Sequence, residues 1–63
     1  MDINHADLVA LATLPGVGPK MAERILADRK ANGLYRRAED LLRVKGIGPA
    51  KLAKMRERIV IRR

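Results

Sequence analysis

The stretch Leu14-Pro15-Gly16-Val17-Gly18-Pro19-Lys20 returns 30 residues further on as Val44-Lys45-Gly46-Ile47-Gly48-Pro49-Ala50. The likeness extends on both sides: Leu11 matches Leu41 before the glycines, and Ala22 and Ile25 match Leu52 and Met55 after them. An apolar face at helical spacing is therefore repeated together with the turn, which marks two copies of one supersecondary unit. The copies part at Leu26 against Arg56 and at Lys20 against Ala50, so they share a scaffold without being identical.

Each copy reads as a short helix, a tight turn and a second helix. Asp7 is placed to cap a helix through Leu8, Leu11 and Ala12. Its counterpart begins near Arg37, a poor cap, and runs through Ala38, Leu41 and Leu42. Pro19 and Pro49 stand where the following helices begin, because proline lacks the N–H that would go unpaired at the first helical position. Met21, Ala22, Ile25 and Leu26 form the apolar face of the helix after Pro19, and Asn32-Gly33 ends it. The last helix is expected to bury Leu52, Met55 and Ile59. Ile59-Val60-Ile61, the longest strand-like piece, is too short to build a sheet. The chain thus reads as one all-α domain over 1–63, with a first motif at 7–32, a connector at 33–36, a second motif at 37–60 and a basic tail at 61–63.

The turn brings backbones close, and its glycines at 16, 18, 46 and 48 are expected to supply φ values that a Cβ resists. Val17 and Ile47, between them, would plug each turn into the core. The next helix then offers unpaired N–H groups and the positive end of its dipole, a ready phosphate site. Lys20 and Lys51 lie just inside the two helices and Lys45 and Arg43 on the approach to the second turn, so each adds charge beside a bound phosphate. A lone Gly-x-Gly at a helix start is more often a plain cap and turn. Two copies at fixed spacing, each followed by proline and a nearby lysine, favour phosphate binding instead. A nucleotide P-loop needs four residues between its glycines and a Gly-Lys-Ser/Thr ending, so ATP binding is not expected.

Composition narrows the class. With 14 Lys+Arg against 7 Asp+Glu, 63 residues carry a net charge of +7, which points to a polyanionic partner. There is no cysteine, so neither disulfides nor a thiolate zinc site assist a core that at this size contributes roughly 3–5 kcal/mol net. The single aromatic, Tyr35, makes no base-stacking platform and is expected to pack across the connector against both copies. No apolar run approaches the roughly 20 residues of a membrane span, and Met1-Asp2-Ile3-Asn4 lacks signal-peptide character. The expectation is a soluble, unanchored chain; its boundaries lie close to the motifs, which also suits an excised domain, and its compartment stays open.

The two hairpins resemble those of a tandem helix-hairpin-helix domain, the compact (HhH)2 fold, and are most similar to the DNA-binding domain of the competence DNA receptor family (ComEA). Ile3-Asn4-His5-Ala6, the connector Asn32-Gly33-Leu34-Tyr35-Arg36 and Ala38-Glu39-Asp40-Leu41 extend the likeness over nearly the whole chain. The resemblance implies two pseudo-two-fold-related hairpins gripping both backbones of double-stranded DNA across the minor groove, without sequence preference. It implies phosphate contacts at the amides of Gly16, Gly18, Gly46 and Gly48 and at Lys20 and Lys51. Ala50 stands where the first hairpin has Lys20, so unequal half-sites are expected. The two strands of a duplex are themselves related by local two-fold axes, which suits a duplicated binder.

Arg24 joins the candidate binding residues, although Asp28 lies at helical spacing from it. Arg29, Lys30, Lys54, Arg56, Arg58, Arg62 and Arg63 read chiefly as solvated charge, and Arg62-Arg63 as a mobile basic tail. His5 has no metal partner in the pattern and reads as exposed. The first hairpin also resembles that of base-excision glycosylases, some of which use a lysine at the place of Lys20. Such chemistry needs a pocket for a flipped base and a poised acid, and 63 residues with scattered Asp7, Asp28, Glu39 and Asp40 provide neither. No enzyme activity, cofactor, metal, small-molecule substrate or membrane is expected. The partners in view are duplex DNA or RNA, with a protein-interaction module marked by exposed Leu34, Val60 and Ile61 as the alternative; the chain is monomeric or a weak homodimer.

Overall fold

The computed structural model describes residues 1–62. Asp7 opens helix α1 (Leu8–Ala12), its carboxylate accepting the Ala10 N–H at 2.8 Å. Helix α2 (Pro19–Asn32) starts on its proline and ends at Gly33, whose φ of +89° only glycine adopts at little cost. A 3-10 helix spans Ala38–Arg43, and helix α3 covers Pro49–Arg56, again proline-led. The chain is all-α: no strand forms among the described residues, and the two ends meet in one parallel bridge between Asp2 and Val60.

Two local expectations are corrected. The segment after Arg37 is a 3-10 helix, not an α-helix: Arg37 has no side-chain acceptor for the free amides, and the Asp40 N–H bonds its carbonyl three residues back. Ile59 is buried as expected, but from the segment beyond α3, which stops at Arg56.

The repeat lies in the core. Leu11 and Leu41, Leu14 and Val44, Val17 and Ile47, Ala22 and Leu52, and Ile25 and Met55 are buried as matched pairs. Leu26 packs partly against this cluster, whereas its counterpart Arg56 is exposed and pairs with Glu39.

Tyr35 is fully buried between the copies: its hydroxyl donates to the Ile25 carbonyl at 3.2 Å, and the Arg43 guanidinium lies 4.8 Å from its ring centre. Burial, with neighbouring Asp28, holds its phenol protonated well above the ordinary tyrosine range. Buried Asn4 clamps the connector, accepting the Tyr35 N–H at 2.7 Å and donating to the Tyr35 carbonyl at 2.8 Å. Its amide also donates to the Arg62 carbonyl at 3.1 Å, so the expected mobile tail is anchored at Arg62; Arg63 lies outside the described residues. His5 is exposed and pairs with Asp2.

Candidate nucleic-acid interface

The two hairpins have the same backbone. In the first, the Val17 N–H donates to the Leu14 carbonyl at 3.0 Å, Gly16 has φ +76°, and the Gly18 carbonyl accepts the Ala22 N–H at 2.9 Å. In the second, Ile47 donates to Val44 at 3.1 Å, Gly46 has φ +99°, and Gly48 accepts from Leu52 at 3.0 Å. Val17 and Ile47 are buried beneath the turns, as their apolar character implied.

The four glycines play two roles, which corrects the expectation that all need unusual φ. Gly16 and Gly46 do, whereas Gly18 (φ −101°, ψ −173°) and Gly48 (φ −104°, ψ −178°) are extended N-caps that any residue can adopt. A Cβ on either Gly18 or Gly48 would meet nothing within 4 Å. The fold itself therefore does not require glycine at these two places.

The amides around them are unspent. The N–H groups of Gly16, Gly18, Gly46 and Gly48 have no acceptor among the described residues, and neither α2 nor α3 has a side-chain cap or an acidic residue in its first turn. Each hairpin thus leaves free donors beside a positive helix end, with no acidic residue in that helix's first turn to offset them.

The nearby cations arrange themselves across the repeat. Lys20 and Lys45 are exposed beside their own hairpins. Lys51 is half-buried with its stem over the first hairpin: a Cβ on Gly16 would lie 3.7–3.9 Å from Lys51 Cγ, Cδ and Cε. In the opposite direction, a Cβ on Gly46 would lie 2.7 Å from Met21 Cε and 3.1 Å from Arg24 Nη1, and Arg24 donates to the Lys45 carbonyl at 3.4 Å. Met21 and Lys51 are equivalent positions of the repeat, so each second helix leans on the other motif's first glycine. This reciprocity is the pseudo-two-fold seen from the side chains.

Two other arginines, Arg43 and Arg29, are already engaged within the fold. Asp28 does not pair with Arg24; it accepts from Arg43 at 2.7 Å and Asn32 at 2.7 Å. Burial works against its charge, but these bonds prevail and hold its carboxyl below the usual range. Arg43 is therefore tied to Asp28, the Gly33 carbonyl and the Tyr35 ring, and Arg29 to the carbonyls of Ile3 and Ala6 at 2.9 and 3.0 Å. Both arginines are structural ties. Sequence reasoning missed Asn4 as the clamp, since an Asn near a terminus has no local signal for a partner 31 residues away. None of the ion pairs among the described residues involves Lys20, Arg24, Lys45 or Lys51.

Comparison with known proteins agrees with this geometry. The helix-hairpin-helix motif family matches residues 1–60. ComE operon protein 1 of Bacillus subtilis is 39% identical over 62 residues, covering 98% of this chain and 30% of that protein. An uncharacterized protein of Haemophilus influenzae is 48% identical over 48 residues, 76% of this chain and 43% of its own length. Endonuclease/exonuclease/phosphatase family domain-containing protein 1 of Rattus norvegicus is 36% identical over 63 residues, all of this chain but 11% of that protein. The chain spans less than half the length of each of these relatives. With paired hairpins of one geometry and a family match that runs through both, this chain belongs to the helix-hairpin-helix family.

Proposed function

We propose that this chain binds double-stranded DNA through its phosphate backbone, without reading sequence, each hairpin holding one phosphate on opposite sides of the minor groove. A DNA-binding role in general goes with the family and with the likeness to ComE operon protein 1. The finer reading rests on one observation above all: Gly18 and Gly48 have ordinary extended backbone, open space where a Cβ would be, and unpaired amides at a helix start. Glycine that the fold does not need is explained by an outside group that must come close to the backbone. A phosphate fits, because it accepts several N–H bonds and is drawn by the helix dipole.

Val17 and Ile47 hold the two turns in shape, while Lys20, Lys45, Lys51 and Arg24 supply charge without competing carboxylates. The body measures 23 × 20 × 20 Å between Cα extremes, enough to bridge a minor groove about 6 Å wide as one rigid unit. Such contacts position the protein on the duplex and carry no base information.

The chain itself is read as non-catalytic. An open pocket lined by Asn32, Gly33, Leu34, Arg36, Asp40 and Arg43 contains none of the hairpin residues, and the Asp40 carboxylate in it already accepts the Arg36 N–H at 3.0 Å.

Titration of a short duplex at several salt concentrations tests the reading. Dissociation constants of about 10⁻⁴–10⁻⁶ M near physiological salt, weakening linearly on logarithmic axes as salt rises, are expected. Affinity indifferent to salt refutes phosphate binding. Preference for duplex RNA in competition would reassign the partner, and a stable oligomer without DNA would favour the interaction-module alternative.

A further inference from the structure

We infer that the two phosphate sites are cross-supplied: Lys51, carried by the second motif, serves the first hairpin, and Arg24, carried by the first motif, serves the second. The inference rests on the phosphate-binding reading above and goes beyond it by assigning each cation to the hairpin that its own sequence neighbourhood does not indicate.

In sequence, Lys51 follows Gly48 by three residues and belongs to the second hairpin. In space its stem runs over Gly16, with Cε within 3.9 Å of where a Cβ on that glycine would stand and the ammonium one bond beyond. Arg24 belongs in sequence to the helix after the first hairpin, yet its guanidinium reaches Gly46 and the Lys45 carbonyl. The two are not equivalent repeat positions. The site matching Lys51 is Met21, which fills the space over Gly46, and the cation comes one turn later, from Arg24.

Each hairpin then has one cation of its own and one lent by the other motif. Lys20 and Lys51 flank the first; Lys45 and Arg24 flank the second. The absence of a lysine at Ala50 does not leave the second site without charge, because Arg24 stands in for it. Neither motif presents its full site alone, so duplication builds the sites as well as the core.

Double-mutant cycles on duplex affinity test the assignment. Gly18→Asn and Gly48→Asn each block one hairpin, since asparagine caps a helix well and its side chain takes up the unpaired N–H groups of the helix's first turn, where the phosphate would lie. A Cβ at either position meets nothing within 4 Å. Lys51→Met removes the charge but keeps an apolar stem over Gly16, and Arg24→Gln removes the second cation.

Lys51→Met alone is expected to lower the salt slope by about 1. It should weaken binding equally in the parent and in Gly48→Asn, and by a factor at least about twofold smaller in Gly18→Asn. Arg24→Gln should show the mirror pattern, losing its effect in Gly48→Asn. Loss of the Lys51→Met effect in Gly48→Asn instead, or equal effects in both backgrounds, overturns cross-supply while leaving DNA binding intact. A parent chain that fails to bind duplex at low salt overturns both readings together, which separates the two failures. Melting of each variant beside the parent confirms that folded protein is compared.

Discussion

A capped α-helix leads into the first hairpin, and an uncapped 3-10 helix leads into the second, yet both deliver a fully buried leucine, Leu11 or Leu41, at the same distance from the turn. The turns that follow match in hydrogen bonds and in glycine conformation, and then the helices differ again: Lys20 and Met21 on one side, Ala50 and Lys51 on the other. What the two motifs hold in common is the turn and the side chains that anchor it. The lead-in needs only to present one apolar side chain to the core, so its helix type is free. The turn has no such freedom, because its amides and φ angles must all be right at once.

The largest expected effect falls on the shared part. Gly18→Asp and Gly48→Asp each place a carboxylate where a phosphate would sit, and each should weaken duplex binding about tenfold or more, as expected for losing a charge-assisted bond. Because an N-cap aspartate suits a helix, thermal melting should stay level or rise slightly, by a few tenths of a kcal/mol. Binding unchanged in both variants would show the two glycines to be incidental. A larger loss at Gly18 than at Gly48 would show the first hairpin to be the stronger.

Stability should distinguish the other glycine pair. Gly46→Ala meets Met21 Cε at 2.7 Å as well as an unfavourable φ, whereas Gly16→Ala meets only the Lys51 stem at 3.7 Å. The φ penalty of about 1–2 kcal/mol applies to both, so denaturant unfolding should show Gly46→Ala as the more damaging. Equal losses would mean that Met21 moves aside freely.

Asp28 sharpens a third difference, since its repeat counterpart is Arg58 and only the first motif has this tie to Arg43. Asp28→Asn should cost about 1–3 kcal/mol at neutral pH. The Asp28 pKa is lowered in the folded state, so its contribution is present above the ordinary carboxylate pKa and is lost as pH falls through the lower folded value. Melting followed from pH 7 down to about pH 2 should therefore fall more steeply for the parent than for Asp28→Asn below about pH 4. Parallel curves would remove Asp28 from the acid response.

The smallest effect concerns the caps. Asp7→Ala should cost about 1 kcal/mol, and Arg37→Asn, which gives the second lead-in the acceptor it lacks, should gain about 0.5 kcal/mol. Circular dichroism and melting together show whether the added cap also converts the 3-10 turn toward an α-helix.

Much of this was legible in the residues. The repeat located both hairpins, Asp7, Pro19, Pro49 and Gly33 marked the helix ends, and the apolar spacing named the core from Leu11 to Met55. These are local signals: a cap, a missing N–H, a 3.6-residue period and a positive φ each act within a few residues of chain. The 3-10 turn escaped because two turn types differ there by little more than one absent acceptor. Arg43 read as charge beside the second turn and Arg29 as solvated charge, because a sequence shows the cation without the carboxylate or carbonyl that occupies it.

By itself, then, the sequence determined a duplicated, basic, all-α unit with two Gly-x-Gly-Pro turns, since each feature follows from neighbours along the chain. Only the tertiary structure decided which cations remain free, which glycines answer to the fold and which to open space, and that Lys51 and Arg24 lie over each other's hairpins. Those outcomes depend on how the two motifs pack face to face, and packing brings together side chains that the chain itself keeps about 21 to 35 residues apart.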